Sequence, residues 1–265
     1  MAEQVLIVSL FTFIIHLAET LTYSLRLAGV RLGKLAVALS LAGIILLVSR
    51  TANMVQAPLT GKIIDFAKQH ADYQLIDQFR IMIGAATAGT LMALLLFPSA
   101  VMLASRAISS LEVAGSIPQM VRSSVSLQKI NNARRHLRRP KLSMLSRLRI
   151  GGIPKRLVIL NCLVTAIYTI GVLAALLAST LTTEHSIAAS QSSGLINGLA
   201  TILLTVLIDP QIALITDKVL RGEQDAAALH KIFGLLMVSR LAGTVLAQIL
   251  LVPAAYWIKW MVAVI

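Results

Sequence analysis

The chain alternates long apolar runs with short polar connections. Six runs stand out, at about 4–25, 35–58, 80–104, 157–181, 191–215 and 230–263. Each is apolar nearly all round and meets the length of roughly 20 residues that a bilayer crossing needs. No alternating polar period marks them as barrel strands, so six transmembrane helices are predicted. The sixth run exceeds one crossing and is expected to tilt or to break at Pro253. The pattern predicts an all-α polytopic membrane protein with a single transmembrane domain over residues 1–265.

Composition agrees: 57% of residues are hydrophobic, only 13% are charged, and the mean hydropathy is +0.83. Such a balance excludes an ordinary soluble domain. The single cysteine, Cys162, lies inside an apolar run and has no intrachain partner for a disulfide. The first run follows Glu3 without a basic segment and precedes no Ala-x-Ala site, so it reads as a true first span rather than a cleaved signal.

The formal charge of +13 is unevenly placed. Twelve of the 24 Lys and Arg lie between Arg106 and Arg156, with Glu112 the only acid there. Residues 26–34 carry Arg26, Arg31 and Lys34 without an acid, and 216–229 carries Lys218 and Arg221. The 59–79 connection is mixed, and 182–190 has no Lys or Arg. By the positive-inside rule, loops one, three and five face the cytoplasm and both termini lie outside. This placement argues for a membrane loop and against nucleic acid as a partner. Within 105–156, "PKLSMLSRLRIGG" and "IPQMVRSSVSLQKI" set Leu142, Leu145 and Leu148, and Ile117, Met120 and Val121, among basic residues. Two interfacial helices are expected there. They either fix topology alone or gather anionic inner-leaflet lipids, at about 1 kcal/mol per basic residue.

Four charges interrupt the spans: Glu19, Arg50, Asp209 and Arg240. A guanidinium at mid-span costs at least ~2.5–3.5 kcal/mol, so it calls for an explanation. "LLVSRTA" at 46–52 echoes "LMVSRLA" at 236–242, an offset of 190 that also carries Glu19 onto Asp209. The echo predicts a parallel repeat of the first and last helix pairs. Counting along the helices puts Arg50 ~10 Å above Glu19, and Arg240 likewise above Asp209. The four are therefore expected to line a polar route at two depths rather than to close pairs. His16, Tyr23 and Arg26 share a helix face with Glu19, and Asn53 and Gln56 follow Arg50. Polar stripes of this kind face protein or water, not lipid. The alternative is interhelical glue with no transport role. His16 reads as a polar packing group rather than a metal ligand, because the other histidines lie in loops or at span ends. In the third run, Gly84/Ala88 and Ala85/Gly89 are expected to let a neighbouring helix approach closely.

No phosphate-binding G-x-x-x-x-G-K-[ST], H-E-x-x-H or G-x-S-x-G string occurs, so an enzyme is disfavoured and no cofactor is called for. A transporter, a channel or a membrane scaffold remain.

Three segments, "HLAETLTYSLRLAGVRLGKLAVALS" (16–40), "LLVSRTANMVQAPLTGKIIDFA" (46–67) and "IDPQIALITDKVLRGE" (208–223), resemble the Amj family. That family comprises the alternate lipid II flippases of some bacteria, unrelated in sequence to the MurJ flippases. The resemblance covers the whole chain and is strongest over the first two spans. It implies a multi-pass protein of the bacterial cytoplasmic membrane that carries lipid II, the undecaprenyl-diphosphate-linked peptidoglycan precursor, from the inner to the outer leaflet. A diphosphate suits planar guanidinium groups, which donate two parallel charge-assisted hydrogen bonds. Arg50 and Arg240 are then the candidate anion contacts, with Glu19 and Asp209 holding them when the groove is empty or exchanging a proton or cation during the cycle. Asn53, Gln56, His16, Tyr23 and Arg26 complete the candidate substrate-binding set. A homo-oligomer is left open. The other readings are a carrier for a different polyprenyl-phosphate lipid and a non-transporting scaffold for cell-wall enzymes.

Overall fold

The computed structural model describes residues 1–70, 72–116, 119 and 154–265. Among these residues six long helices run in order: α1 (Ala2–Arg31), α2 (Leu35–Gln69), α3 (Leu75–Ala114), α4 (Lys155–Thr180), α5 (Ser186–Leu220) and α6 (Ala226–Val264). All six are long and apolar enough to cross a membrane, and no strand occurs among the described residues. The two expected interfacial helices fall outside the described residues.

The helices outrun the apolar runs that announce them. α3 has 40 residues, about 60 Å at 1.5 Å per residue, against a hydrocarbon core of about 30 Å. It passes the predicted end at 104 and stops at Gly115, whose left-handed φ of 68° lets its N–H close on the Leu111 carbonyl. There Glu112, the acid of the basic connection, meets Lys34 in the α1–α2 turn. Close by, Arg31 at the end of α1 meets His230 on α6. The face carrying these groups also bears Arg156, Lys218 and Arg221, and is called the basic face below. α6 does not break at Pro253, as the sequence allowed; it continues through it. Leu251, Ala255 and Ile258 are fully buried on either side, so packing holds the helix line across the one missing hydrogen bond.

α5 is the interrupted span. It consists of Ser186–Gln191, Ser193–Leu203, a π-turn at Leu204–Ile208, and Asp209–Leu220. The cause is Pro210, which has no N–H to donate and crowds the carbonyl four residues earlier. The wider turn resolves the clash: the Asp209 N–H bonds to the Leu204 carbonyl, five residues back. The Gln211 side-chain amide donates to the Leu207 carbonyl at 2.7 Å.

Packing divides the bundle into two halves of like design. α1 is flanked by α2 and α3, α4 is flanked by α5 and α6, and α3 against α6 joins the halves. α2 and α5 are outer arms that pack little on each other, meeting where Lys68 near the end of α2 donates to Ser186 at the start of α5 at 2.7 Å. This corrects the parallel repeat of the first and last helix pairs. Such a repeat needs α5 and α6 to pair as closely as α1 and α2 do, yet α5 leans on α4 and touches α6 lightly. The echoing strings sit on α2, a peripheral arm, and on α6, a central helix, so alike sequences face unlike surroundings. What the packing repeats is a three-helix unit, and because successive spans alternate direction, α1 and α4 run oppositely.

Glycines mark the tightest seams of both units. A Cβ on Gly89 of α3 would fall 2.3 Å from the Phe13 carbonyl oxygen of α1, and one on Gly243 of α6 would fall 2.5 Å from that of Cys162 on α4. Backbone atoms cannot yield as side-chain tips do. Gly84 faces open space instead, so only part of the expected small-residue seam is used. Gly89→Ala and Gly243→Ala are each expected to destabilise by about 2–3 kcal/mol, the cost of overpacking. Gly84→Ala is expected to be neutral or slightly stabilising, because alanine favours helix. Thermal unfolding in nanodiscs separates the three.

The apolar core is split in two. One cluster fills the half near the basic face, with Leu27, Ile108, Leu157, Leu229 and Phe233 among its members. The other fills the opposite half, around Val8, Ile63, Phe79, Ala174 and Leu251. Between them lies a layer of polar side chains.

Candidate functional site

The polar layer is organised by α1, where Thr12, His16, Glu19, Tyr23 and Arg26 recur every three or four residues and so share one face. Buried threonines along it satisfy themselves locally: Thr12 donates to the Val8 carbonyl at 2.9 Å and Thr20 to that of His16 at 2.6 Å. The Glu19 carboxylate gathers two donors from other helices. Arg240 of α6 donates through Nη2 to Oε2 at 2.6 Å, and Ser49 of α2 donates through Oγ to Oε1 at 2.8 Å. The pair is nearly enclosed, with side-chain exposures of 15% for Arg240 and 12% for Glu19. The Arg240 Nε is buried without a partner.

Tyr168 of α4 stands at the same level. It lies close enough to Glu19, Arg240 and Arg50 for their charges to act on its hydroxyl, and the residue is partly open, at 37% exposure. Measured from the helix ends at the basic face, Glu19 lies about 18 Å along α1, Tyr168 about 20 Å along α4, Arg240 about 21 Å along α6 and Arg50 about 22 Å along α2. These four groups form one ring about 20 Å from the basic face. Arg50 is exposed and, among the described residues, has no ion-pair partner.

The arrangement corrects the sequence reading in two ways. Arg50 does not stand ~10 Å above Glu19. Residues 32–34 are spent in the turn rather than in the helix, and counted from Leu35 the offset falls to about 4–5 Å; the neighbour of Arg50, Ser49, touches Glu19 directly. The charges also pair, and across the two halves. Glu19 holds Arg240, and Asp209 faces Arg26 of α1 at 3.7 Å, rather than standing near Arg240. That second pair is looser and more open, with exposures of 29% for Arg26 and 42% for Asp209.

The remaining candidates separate. Gln56 donates to Thr12 Oγ1 at 3.1 Å and ties α2 to α1. Asn53 turns back to the Ser49 carbonyl at 3.2 Å. Tyr23 is packed inside the core with its ring 5.8 Å from that of Phe233, and His16 is 4% exposed. Those two support the site from behind rather than face the opening. Tyr168, Ser49 and Thr12 escaped the sequence reading. Tyr168 left one signal, a tyrosine in the middle of the apolar "CLVTAIYTIG", whereas Ser49 and Thr12 are too small to stand out from an apolar span.

Chemically, the ring offers one accessible guanidinium, one accessible phenol, and a second guanidinium held by an internal carboxylate. That set suits an anion with several oxygens. Among the described residues no cluster of three His, Cys, Asp or Glu is arranged to hold a metal ion. A separate groove of about 440 Å³ between α1 and α2, lined by Phe11, Ile14, Leu47 and Val55, is apolar and holds none of the charged groups.

Comparison with known proteins gives two findings. The model of the Amj family, described as alternate to MurJ, matches residues 11–262. The lipid II flippase Amj of Bacillus subtilis (strain 168) is 44% identical over 259 residues, covering 97% of this chain and 96% of its own. No solved structure matches.

Proposed function

The chain belongs to the Amj family, and from that premise we propose that it is a lipid II flippase of the bacterial cytoplasmic membrane. It carries the diphosphate-linked head from inner to outer leaflet, with the basic face toward the cytoplasm and both termini outside. The observation that carries this reading is the 44% identity to a lipid II flippase over nearly the full length of both chains. The site supports it independently. An anionic head must cross ~30 Å of hydrocarbon, and Arg50 and Tyr168, about 20 Å from the basic face, would meet it on the way.

The residues divide the task. Arg50 and Tyr168 meet the diphosphate in the space between α2 and α4. Arg240 joins when the diphosphate competes with Glu19 for its guanidinium, so Glu19 acts as the resident anion that neutralises Arg240 while the site is empty and leaves Arg50 as its net positive charge. The polyprenyl tail stays in lipid, passing between α2 and α5, which pack little on each other away from the Lys68–Ser186 contact at their far ends. No phosphate loop is needed for energy: an anion leaving a negative-inside cell gains about 2.3 kcal/mol per charge per 100 mV. The basic connection raises the local concentration of anionic lipid at the inner leaflet, and anionic inner-leaflet lipids bind there as well.

The test is a cell in which this protein is the sole flippase. Lipid II is expected to become accessible to an external probe when the protein is made and to be inaccessible without it. A protein that inserts normally while lipid II stays inside would refute the reading. In the same cell, removing part of 116–150 is expected to slow flipping several-fold and leave some transport, since each basic residue adds only about 1 kcal/mol of attraction. Complete loss with normal insertion would favour a scaffold that docks through this segment.

A further inference from the structure

We propose that the last segment of α5, Asp209–Leu220, is a gate at the basic face, hinged on the π-turn Leu204–Ile208 and latched by Asp209 to Arg26, and that an arriving diphosphate opens it by taking Arg26 from Asp209. The inference rests on the flippase reading and adds how the substrate is admitted.

Four observations converge on this segment. First, the backbone is broken where a hinge is needed. The π-turn and Pro210 remove the regular bond pattern just before the segment, and helices bend where that ladder is interrupted. Second, the segment is loosely held: only Ile212 and Thr216 are buried, and Leu214, Asp217, Lys218 and Leu220 are exposed. Third, space lies behind it. A cavity of about 340 Å³ separates Val219 and Leu220 from Leu27, Val30 and Arg31 of α1 and Leu229 of α6. Fourth, the latch is under-satisfied. Arg26 faces Asp209 at 3.7 Å, beyond hydrogen-bond reach, and its Nε is buried with no partner. A guanidinium with five donors and one distant carboxylate gains from a polyphosphate that accepts two parallel bonds.

The opposite face is closed differently. α2 is also 35 residues long and also carries a proline, Pro58, about two-thirds of the way along, yet its helix continues unbroken. Beyond Pro58, Thr60, Ile63 and Ile64 are buried against the second core. Admission in this conformation is therefore from the basic face, the side on which lipid II is made available to a flippase.

The gate is tested by locking it. With Cys162 replaced by Ala, Val30→Cys and Leu220→Cys place thiols on opposite walls of the cavity, where a reducible bis-thiosulfonate reagent can bridge them. Bridged protein in proteoliposomes is expected to flip lipid II at least tenfold more slowly, with full recovery on reduction and no loss in either single-cysteine protein. Unchanged flipping in verified bridged protein would overturn the proposal. Should the double variant fold poorly, hydrogen exchange decides. Asp209→Asn in nanodiscs is expected to speed exchange over 209–220 at least threefold and leave 155–180 unchanged, and undecaprenyl diphosphate added to the unsubstituted protein is expected to do the same. No change over 209–220, or equal change over 155–180, would overturn it. The two readings fail separately: unsubstituted protein that does not flip lipid II removes the flippase assignment, whereas flipping that ignores the bridge removes only the gate.

Discussion

Arg240→Ala is expected to stop flipping and to destabilise the protein by about 3–5 kcal/mol, because it strands a nearly enclosed carboxylate without its ion-pair partner. Glu19 and Arg240 share a 2.6 Å hydrogen bond at 12% and 15% exposure. Neither side chain has water enough to stand alone, and Ser49 by itself cannot neutralise a charge. The informative partner is the double variant Glu19→Gln with Arg240→Gln. Two amides bury no charge and can hydrogen-bond each other or their polar neighbours, so most of the lost stability is expected to return. Flipping is expected to stay absent, since neither amide attracts a diphosphate. Unfolding measured in nanodiscs beside lipid II exposure in cells separates the two effects. A double variant that regained both would reduce the pair to interhelical glue.

Arg50→Ala is expected to show the opposite profile. The side chain is exposed and unpaired among the described residues, and an arginine at the centre of a span costs about 2.5–3.5 kcal/mol or more. Removing it is therefore expected to leave stability unchanged or raise it. Hydrogen bonds to a charged group contribute about 1.5–3 kcal/mol, so the rate at low substrate is expected to fall about 10- to 100-fold. Arg50→Lys is expected to fall between, because an ammonium keeps the charge without the two parallel donors. Normal flipping in Arg50→Ala, with normal insertion, would end the claim that this residue meets the diphosphate.

How far the sequence reached can be judged residue by residue. Six helices were legible because lipid forces every backbone group to be satisfied within its own span, so hydropathy alone marks them. Glu19 and Arg240 were legible as charges where none is cheap. Their partnership was not. They lie 221 residues apart, and nothing local says that α6 rather than α2 faces α1 with an arginine. The echo between 46–52 and 236–242 misled for the same reason: similar strings were read as similar neighbourhoods, while helix order in the bundle set the neighbours. The error in the height of Arg50 came from three turn residues counted as helix. The interruption in α5 had a visible cause in Pro210, although the compensating π-turn depends on Gln211 and on loose packing that composition does not reveal. Tyr168 carried no charge to draw notice, and only the convergence of three other helices gives it a role.

The layer joining Glu19 to Arg240 also bears on the cell's electrical seal. Glu19 cancels Arg240, so the resting ring keeps the single positive charge of Arg50, which repels small cations. Removing Glu19 alone raises that fixed charge to two, whereas removing Arg240 alone leaves the Glu19 carboxylate to cancel Arg50. A Glu19→Gln variant is therefore expected to conduct small anions and to lower the transmembrane voltage, harming cells even where another flippase supplies the wall.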